Sequence, residues 1–207
     1  TMDLGVRAQE CDLATLFAPG EALCMPPYQR SYSWTDREAL ELFSDLRESA
    51  ETGTPHFVGA IVLVRTDAGG ALEIVDGQQR LTTLTILLAA LRDLETDPAH
   101  ADALHSYIGD PPNKMLGEAA RWRLTLNHID GPFFLENIQQ RGATLTLENE
   151  SGESDSQGRM TGNALAFLKE LRGMSDSERR ALAEVVCHRC GLVRVTVSDR
   201  DQGYKVF

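Results

Sequence analysis

The chain has 207 residues, which fits one domain or a domain with a helical extension. Its 42% hydrophobic content is enough for a core and excludes a disordered chain. With 31 Asp and Glu against 20 Lys and Arg, the formal charge of −11 excludes a general nucleic-acid coat and leaves room only for a local basic pocket.

The first predicted element is a short helix over Asp12–Phe17 with Asp12 as its cap. Leu23–Met25 reads as an edge strand, because Pro26-Pro27 ends it and sends the chain into a loop. Tyr28-Gln29-Arg30-Ser31-Tyr32-Ser33-Trp34 follows, three aromatics interleaved with a glutamine and an arginine. Thr35 and Glu38 form a capping box, and Leu40, Phe43 and Leu46 give the next helix one apolar face. Gly53-Thr54-Pro55 ends it. Phe57–Val64 is a near-continuous apolar run rich in β-branched residues, as in a strand buried on both faces. Gly59 within it implies the close approach of another backbone or a ligand. A turn at Asp67–Gly70 and a strand at Leu72–Val75 complete a hairpin.

Asp76-Gly77-Gln78-Gln79-Arg80 then joins this strand to a helix running from Leu81 to Leu94, apolar nearly all round and therefore buried. From Asp97 to Lys114 the pattern weakens, interrupted by Pro98, Pro111 and Pro112. Arg121–Leu126 alternates, and Pro132-Phe133-Phe134-Leu135 is a second apolar knot. Residues 148–159 read as a solvated loop. A helix over Asn163–Leu171 and another from the Ser175/Glu178 capping box to about His188 lead to a strand at Gly191–Val197 that rejoins the sheet. The chain contains no internal repeat. No apolar run is long enough to span a bilayer, and four cysteines without framework spacing point to a reducing cytoplasm. Thr1 ahead of Met2 reads as a tag remnant, and the end at Phe207 as that of a fragment.

The densest chemistry lies at the corner from Asp76 to Arg80. A strand-to-helix turn points backbone N–H groups and the positive end of a helix dipole at one small volume, a ready anion site. One reading is structural, with Asp76 as the helix cap and Arg80 in an ion pair. The other is catalytic. A glutamine (Gln78 or Gln79) can orient an attacking water, and Arg80 can hold the developing charge of a phosphoryl group. Asp76 can accept a proton or hold a divalent ion such as Mg2+. Gly77 would admit the phosphate, and Thr82 and Thr83 would add hydroxyls. Tyr28-Gln29-Arg30 likewise reads either as aromatic packing or as a small pocket for a base or phosphate oxygen, and spacing does not separate the two. Cys187-His188-Arg189-Cys190 is half of a zinc site with no second pair nearby, so no bound zinc is expected. There is no phosphate loop of the Walker type and no serine nucleophile elbow.

Three stretches in this order carry a resemblance: Pro26 to Trp34, His56-Phe57-Val58-Gly59, and Val75 to Leu84. Together they resemble the N-terminal domain of GmrSD-type restriction proteins, which also occurs in phosphorothioate-sensing SspE proteins. The resemblance is strong over about residues 10–95 and weaker through Arg123-Leu124, Phe133-Phe134 and the last strand. It implies an α/β (α+β) fold with a small mixed sheet of ParB/sulfiredoxin type and many surrounding helices. It implies hydrolysis of a nucleoside triphosphate, with GTPase-like specificity compatible, centred on Asp76, Gln78, Gln79 and Arg80. It implies coupling of that hydrolysis to modified, phosphorothioate-type DNA, sensed around Pro27, Tyr28, Gln29 and Arg30. In the family a separate C-terminal HNH nuclease domain cuts the DNA. That domain lies outside these 207 residues, so nuclease activity is not expected of this fragment alone. The family sequence also continues past the last strand into a helix and an asparagine-arginine-glycine element, just beyond Phe207.

The expectation is a single N-terminal domain over residues 1–207, with a core at about 10–95, a helical part at about 96–190 and a returning strand at 191–197. Two other function classes stay open. One is a non-catalytic module that binds DNA phosphate, and the other is a ParB-like nuclease in its own right.

Overall fold

The computed structural model describes residues 5–65 and 71–198, so the turn expected at Asp67–Gly70 lies outside the described residues. In chain order the elements are β1 (Val6–Asp12), α1 (Leu13–Leu16), β2 (Leu23–Cys24), α2 (Asp36–Thr52), β3 (His56–Arg65) and β4 (Leu72–Asp76). They continue with α3 (Gln78–Leu94), α4 (Pro98–His105), β5 (Gly109–Asp110), β6 (Arg121–Trp122), β7 (Leu124–Thr125) and α5 (Gly131–Phe134). The last are α6 (Asp155–Arg172), α7 (Asp176–Glu184) and β8 (Cys190–Val197).

Six strands form one mixed sheet in the order β1-β8-β3-β4-β2-β7, which bears out the mixed α/β class. The expected hairpin is present as antiparallel β3 and β4, and the returning strand β8 slots in parallel to β3. In β3, Ile61 and Leu63 join the main core while Val62 and Val64 cluster with Val197. Successive side chains in a strand point to opposite faces, so this run is buried on both sides and reads as continuously apolar.

Helix α3 is the centre of the core. Every residue from Leu81 to Arg92 is buried, against α6 and α4 among others. Each fully buried leucine contributes roughly 1.5–3 kcal/mol relative to exposure. Phe43 of α2 stacks on Phe167 of α6 at 5.9 Å, closing the core from the other side. Both expected capping boxes form, at Thr35/Glu38 and Ser175/Glu178, and Gly53 ends α2 at φ 74°. Asp12 caps α1, its carboxylate accepting from Thr15 N at 2.7 Å.

Several sequence expectations are corrected. Leu23–Cys24 is not an edge strand, because β2 is flanked by β4 and β7 and runs parallel to both. Pro26-Pro27 stops it after two residues without exposing its side. Pro98 does not interrupt a helix but begins α4 at the first position, where a proline's missing N–H costs nothing, with Asp97 accepting from Ala99 N at 2.9 Å. The solvated loop at 148–159 ends early, since α6 starts at Asp155 behind the Ser154 cap. Its start was hidden because polar residues occupy its buried face. Ser156, Thr161 and Asn163 are all buried and hydrogen-bonded, to Asp130, to Ser151 O, and to Tyr32 and Trp34 O. Strand β1 carries no sequence signal because most of it is exposed, and its register is set by pairing antiparallel to β8. Among the described residues no helix is long and apolar enough to cross a membrane.

The far end of α3 holds a buried ion pair. Arg92 Nε lies 2.8 Å from Asp93 Oδ1, and both side chains are only 1% exposed. The Arg92 guanidinium also donates to the carbonyls of Ile138, Gln139 and Gln140, at the end of a π-helical turn over Leu135–Gln139. Asp93 accepts from Gly142 N, Thr144 N and Thr144 Oγ1. Every lone pair and proton of note is matched, which is what makes a buried pair tolerable.

His105 Nδ1 lies 3.0 Å from Arg92 Nη1, which can only donate, so the ring is neutral with its proton on Nε2. Burial, reinforced by the Arg92 charge, holds its pKa down at about 4 against an ordinary 6.5. The unfolded chain therefore takes up this proton at a higher pH than the folded one. His105 contributes stability that is complete above pH 6.5 and lost as the pH falls towards 4. Melting curves across that window should show a steeper decline for the parent than for His105→Asn, whose amide oxygen keeps the acceptor and cannot titrate.

Candidate functional site

The corner is shaped by one glycine. Gly77 sits between β4 and α3 at φ 98°, and a Cβ there would stand 2.3 Å from Ile61 Cδ1. Only glycine lets the chain turn this tightly against β3. Gly77, not Asp76, occupies the N-cap position, so the structural reading of Asp76 as cap is corrected. Asp76 is exposed at the end of β4, opposite Val62. Among the described residues no side chain caps α3, so the first N–H groups of the helix are available to an anion.

The two adjacent glutamines do different things. Gln78 Nε2 donates to Ile74 O at 3.0 Å and Val75 O at 2.9 Å, pinning the helix start to the strand end. Among the described residues its Oε1 has no hydrogen-bond partner. Gln79 Oε1 accepts from Ser33 N at 2.8 Å and Trp34 N at 3.3 Å, while its Nε2 donates to Ser31 O at 3.3 Å. Gln79 is thus a tether that holds the aromatic loop on the helix N-terminus.

Arg80 lies on the β3 side of the corner. Its guanidinium covers Gly59, where a Cβ would meet Nη1 at 2.8 Å. The close approach at Gly59 was expected of a backbone or a ligand and is made instead by this side chain. A register shift in the β3–β8 pairing between Phe57 and Gly59 marks the same spot, and such bulges re-aim strands beside functional groups. Arg80 makes one hydrogen bond, 3.4 Å to Ala60 O, and among the described residues no ion pair. The structural ion pair considered for it is not formed there.

Thr82 and Thr83 are both buried but differ in role. Thr83 Oγ1 donates its only hydrogen to Gln79 O at 2.7 Å. Tyr32 Oη, 2.7 Å away, must then be the donor between the two hydroxyls, and it accepts from Asn163 Nδ2 at 2.7 Å. Burial pushes the Tyr32 phenol up to about 12, which keeps that proton in place. Thr83 is therefore committed to a chain linking the corner, the aromatic loop and α6.

The aromatic loop opens with a β-turn closed by Gln29 N to Pro26 O at 3.2 Å, with Pro27 and Tyr28 at its tip. Proline at the first tip position sets the φ the turn needs. Pro27, Tyr28 and Arg30 are exposed, Tyr28 at 58%, and Gln29 is half-buried. Arg30 Nη2 donates to Ser33 Oγ at 2.9 Å. Arg30, Gln78, Gln79 and Thr82 meet at a crevice of about 10 Å³, which Asp130 also lines. That is room for about one water. Asp76, Arg80, Thr83 and Tyr28 do not line this crevice. The predicted residues thus divide between those that line this crevice and those, such as Arg80 against Gly59, that do not.

Sequence reasoning missed Asp130, Tyr32 and Asn163 as partners of the corner. Asp130 stands just ahead of Gly131-Pro132, where an acid reads as turn punctuation. Cys187 and Cys190 are buried, and burial pushes both thiols up to about 12, far from the thiolates that metals bind. Among the described residues no group of three or more His, Cys, Asp or Glu is placed to hold a metal ion.

No curated protein matches the chain. A family model described as the GmrSD restriction endonuclease, N-terminal domain, matches residues 13–207. The match extends through the helical part, beyond the stretch where the sequence motifs are concentrated. The corner, its tethered loop and nearly all of the surrounding fold are thus covered by one family description, and the chain belongs to the GmrSD N-terminal domain family of restriction systems.

Proposed function

We propose that the chain is a nucleoside-triphosphate hydrolase and modified-DNA sensor whose hydrolytic step occurs at the corner from Asp76 to Arg80. The observation that carries this reading is Arg80, a guanidinium beside an uncapped helix N-terminus with no carboxylate to neutralise it among the described residues. The helix N–H groups would hold a phosphate, and the Arg80 fork would take up charge developing on the transferred phosphoryl oxygens. Gln78, with its carbonyl oxygen unused, would orient the attacking water, and Asp76 would receive its proton. Gln79 and Thr83 act as positioning residues, since their polar atoms are already engaged. In this reading hydrolysis regulates DNA nicking by an HNH nuclease domain of the same full-length protein.

The sensing end is the exposed turn at Pro27–Arg30. With a formal charge of −11, long-range attraction to DNA is unfavourable, so discrimination rests on short-range contacts. Tyr28 and Pro27 offer an apolar wall and Arg30 a charge, suited to a phosphorothioate whose sulfur is larger and less hydrated than oxygen. Tyr28→Ala and Arg30→Ala should each lose about 1–3 kcal/mol of preference for a phosphorothioate duplex over the plain one. Both should retain basal phosphate release. Binding to matched duplexes at fixed salt checks this, and mutants that discriminate like the parent place the sensor elsewhere.

Phosphate release with and without modified DNA separates this function from a passive phosphate-binding module. Release above background supports the hydrolase, whereas binding without release supports the passive module.

A further inference from the structure

Asp130 is a buried carboxylate that the hydrolytic corner leaves unused. It is 2% exposed, and among the described residues it forms no ion pair. Its two oxygens share the single hydroxyl proton of Ser156, each at 2.9 Å, and Gln157 Nε2 stands 3.5 Å from Oδ1. An ionised carboxylate has about four acceptor sites, so these neutral donors leave it short. Both donors belong to the first turn of α6, whose dipole offers the equivalent of about half a positive charge. Among the described residues no cation touches the rest of the negative charge, and such a charge is costly to bury.

Arg30 is the second observation. It lines the same crevice as Asp130, and among the described residues that do so it is the one with a positive charge. The walls include the apolar Met25 and Leu126, and the space of about 10 Å³ has room for about one water. Attraction across so narrow and poorly solvated a gap is screened far less than attraction between surface charges. The two groups do not meet in a contact ion pair. The Arg30 guanidinium donates instead to Ser33 Oγ at 2.9 Å, a neutral acceptor, and Arg30 is itself exposed. It thus stands between a fixed carboxylate and an anion arriving from solvent.

We infer that Asp130 is the counter-charge of Arg30 and limits how strongly this arginine holds a phosphate-type anion. Its negative charge offsets part of the attraction of Arg30 and repels the anion directly. Phosphate and phosphorothioate diesters carry the same charge, so Asp130 weakens both to the same degree. The preference between them is left to the apolar contacts at Pro27 and Tyr28. Plain DNA, which lacks the sulfur contact, is then held too weakly to occupy the turn, a form of selection against the wrong partner. This consequence for DNA rests on the sensing turn proposed above, but the coupling between Arg30 and Asp130 does not.

The test is a double-mutant cycle on the full chain with Arg30→Ala, Asp130→Asn and the two combined. The first readout is thermal melting at low salt without ligand. Arg30→Ala should lower the Tm of the parent by about 2 °C more than it lowers that of Asp130→Asn. The second is binding of plain and phosphorothioate duplexes at fixed salt. Asp130→Asn should bind both about 3-fold or more tighter than the parent, with their ratio unchanged, and the gain should vanish once Arg30 is alanine. A merely structural Asp130 would give weaker binding instead. Additive Tm changes, or a duplex affinity of Asp130→Asn at or below the parent's, overturn the inference. If neither duplex binds the parent or any variant, the sensing reading falls and the melting cycle alone decides the pair. Should Asp130→Asn not fold, Arg30→Glu and Arg30→Gln take its place. The glutamate, set against a carboxylate, should melt about 2 °C or more below the glutamine, and equal melting overturns the pair.

Discussion

Arg80→Ala should lower nucleotide hydrolysis by about 10³-fold or more, the scale on which an arginine stabilises phosphoryl-transfer charge. It should do so with little loss of stability. The side chain makes a single long hydrogen bond to Ala60 O and fills no part of the main core. Substitutions away from cores and networks usually move stability by less than about 0.5 kcal/mol. Arg80→Lys is informative because it keeps the charge but loses the planar fork, and it should recover only part of the rate. Phosphate release and thermal melts on the three proteins check both halves. A folded Arg80→Ala chain that hydrolyses at the parent rate removes Arg80 from the mechanism.

Gln79→Ala should produce a different defect. Its amide bonds Ser33 N, Trp34 N and Ser31 O, so its loss frees the aromatic loop from α3 and leaves half-buried N–H groups unmatched. Such unmatched groups cost about 1–3 kcal/mol. In a chain of this size that is a Tm fall of roughly 2–4 °C per kcal/mol. The functional effect should exceed the stability effect. The tether joins the turn at Pro27–Arg30 to the helix that carries Arg80, so modified DNA should cease to change the hydrolysis rate while basal hydrolysis persists. If modified DNA still alters the mutant's rate as it does the parent's, communication runs through another contact. The Asn163–Tyr32–Thr83 chain is then the next candidate.

What was legible in the sequence followed physical strength of signal. The β3 run, the all-round apolar α3 and the two capping boxes were visible because burial and capping act through residue type at fixed spacing. Gly59 announced a close approach, though not that Arg80 would make it. The split between the two glutamines was invisible, since identical residue types one position apart on a helix are turned by about 100° from each other and meet different partners. Asp130 was invisible because its importance comes from α5 and the start of α6 being packed beside the corner. The start of α6 was missed for a related reason, as hydrogen-bonded Ser156, Thr161 and Asn163 replace the apolar stripe that periodicity detects. Strand β1 depends on β8, nearly the length of the chain away.

The most direct test of the central claim is phosphate release by the parent chain, supplied in turn with each nucleoside triphosphate, with and without a phosphorothioate duplex. Release from at least one nucleotide, changed by the modified duplex and unaffected by the plain one, is the predicted result. No release above buffer from any nucleotide, with either duplex present, would contradict it.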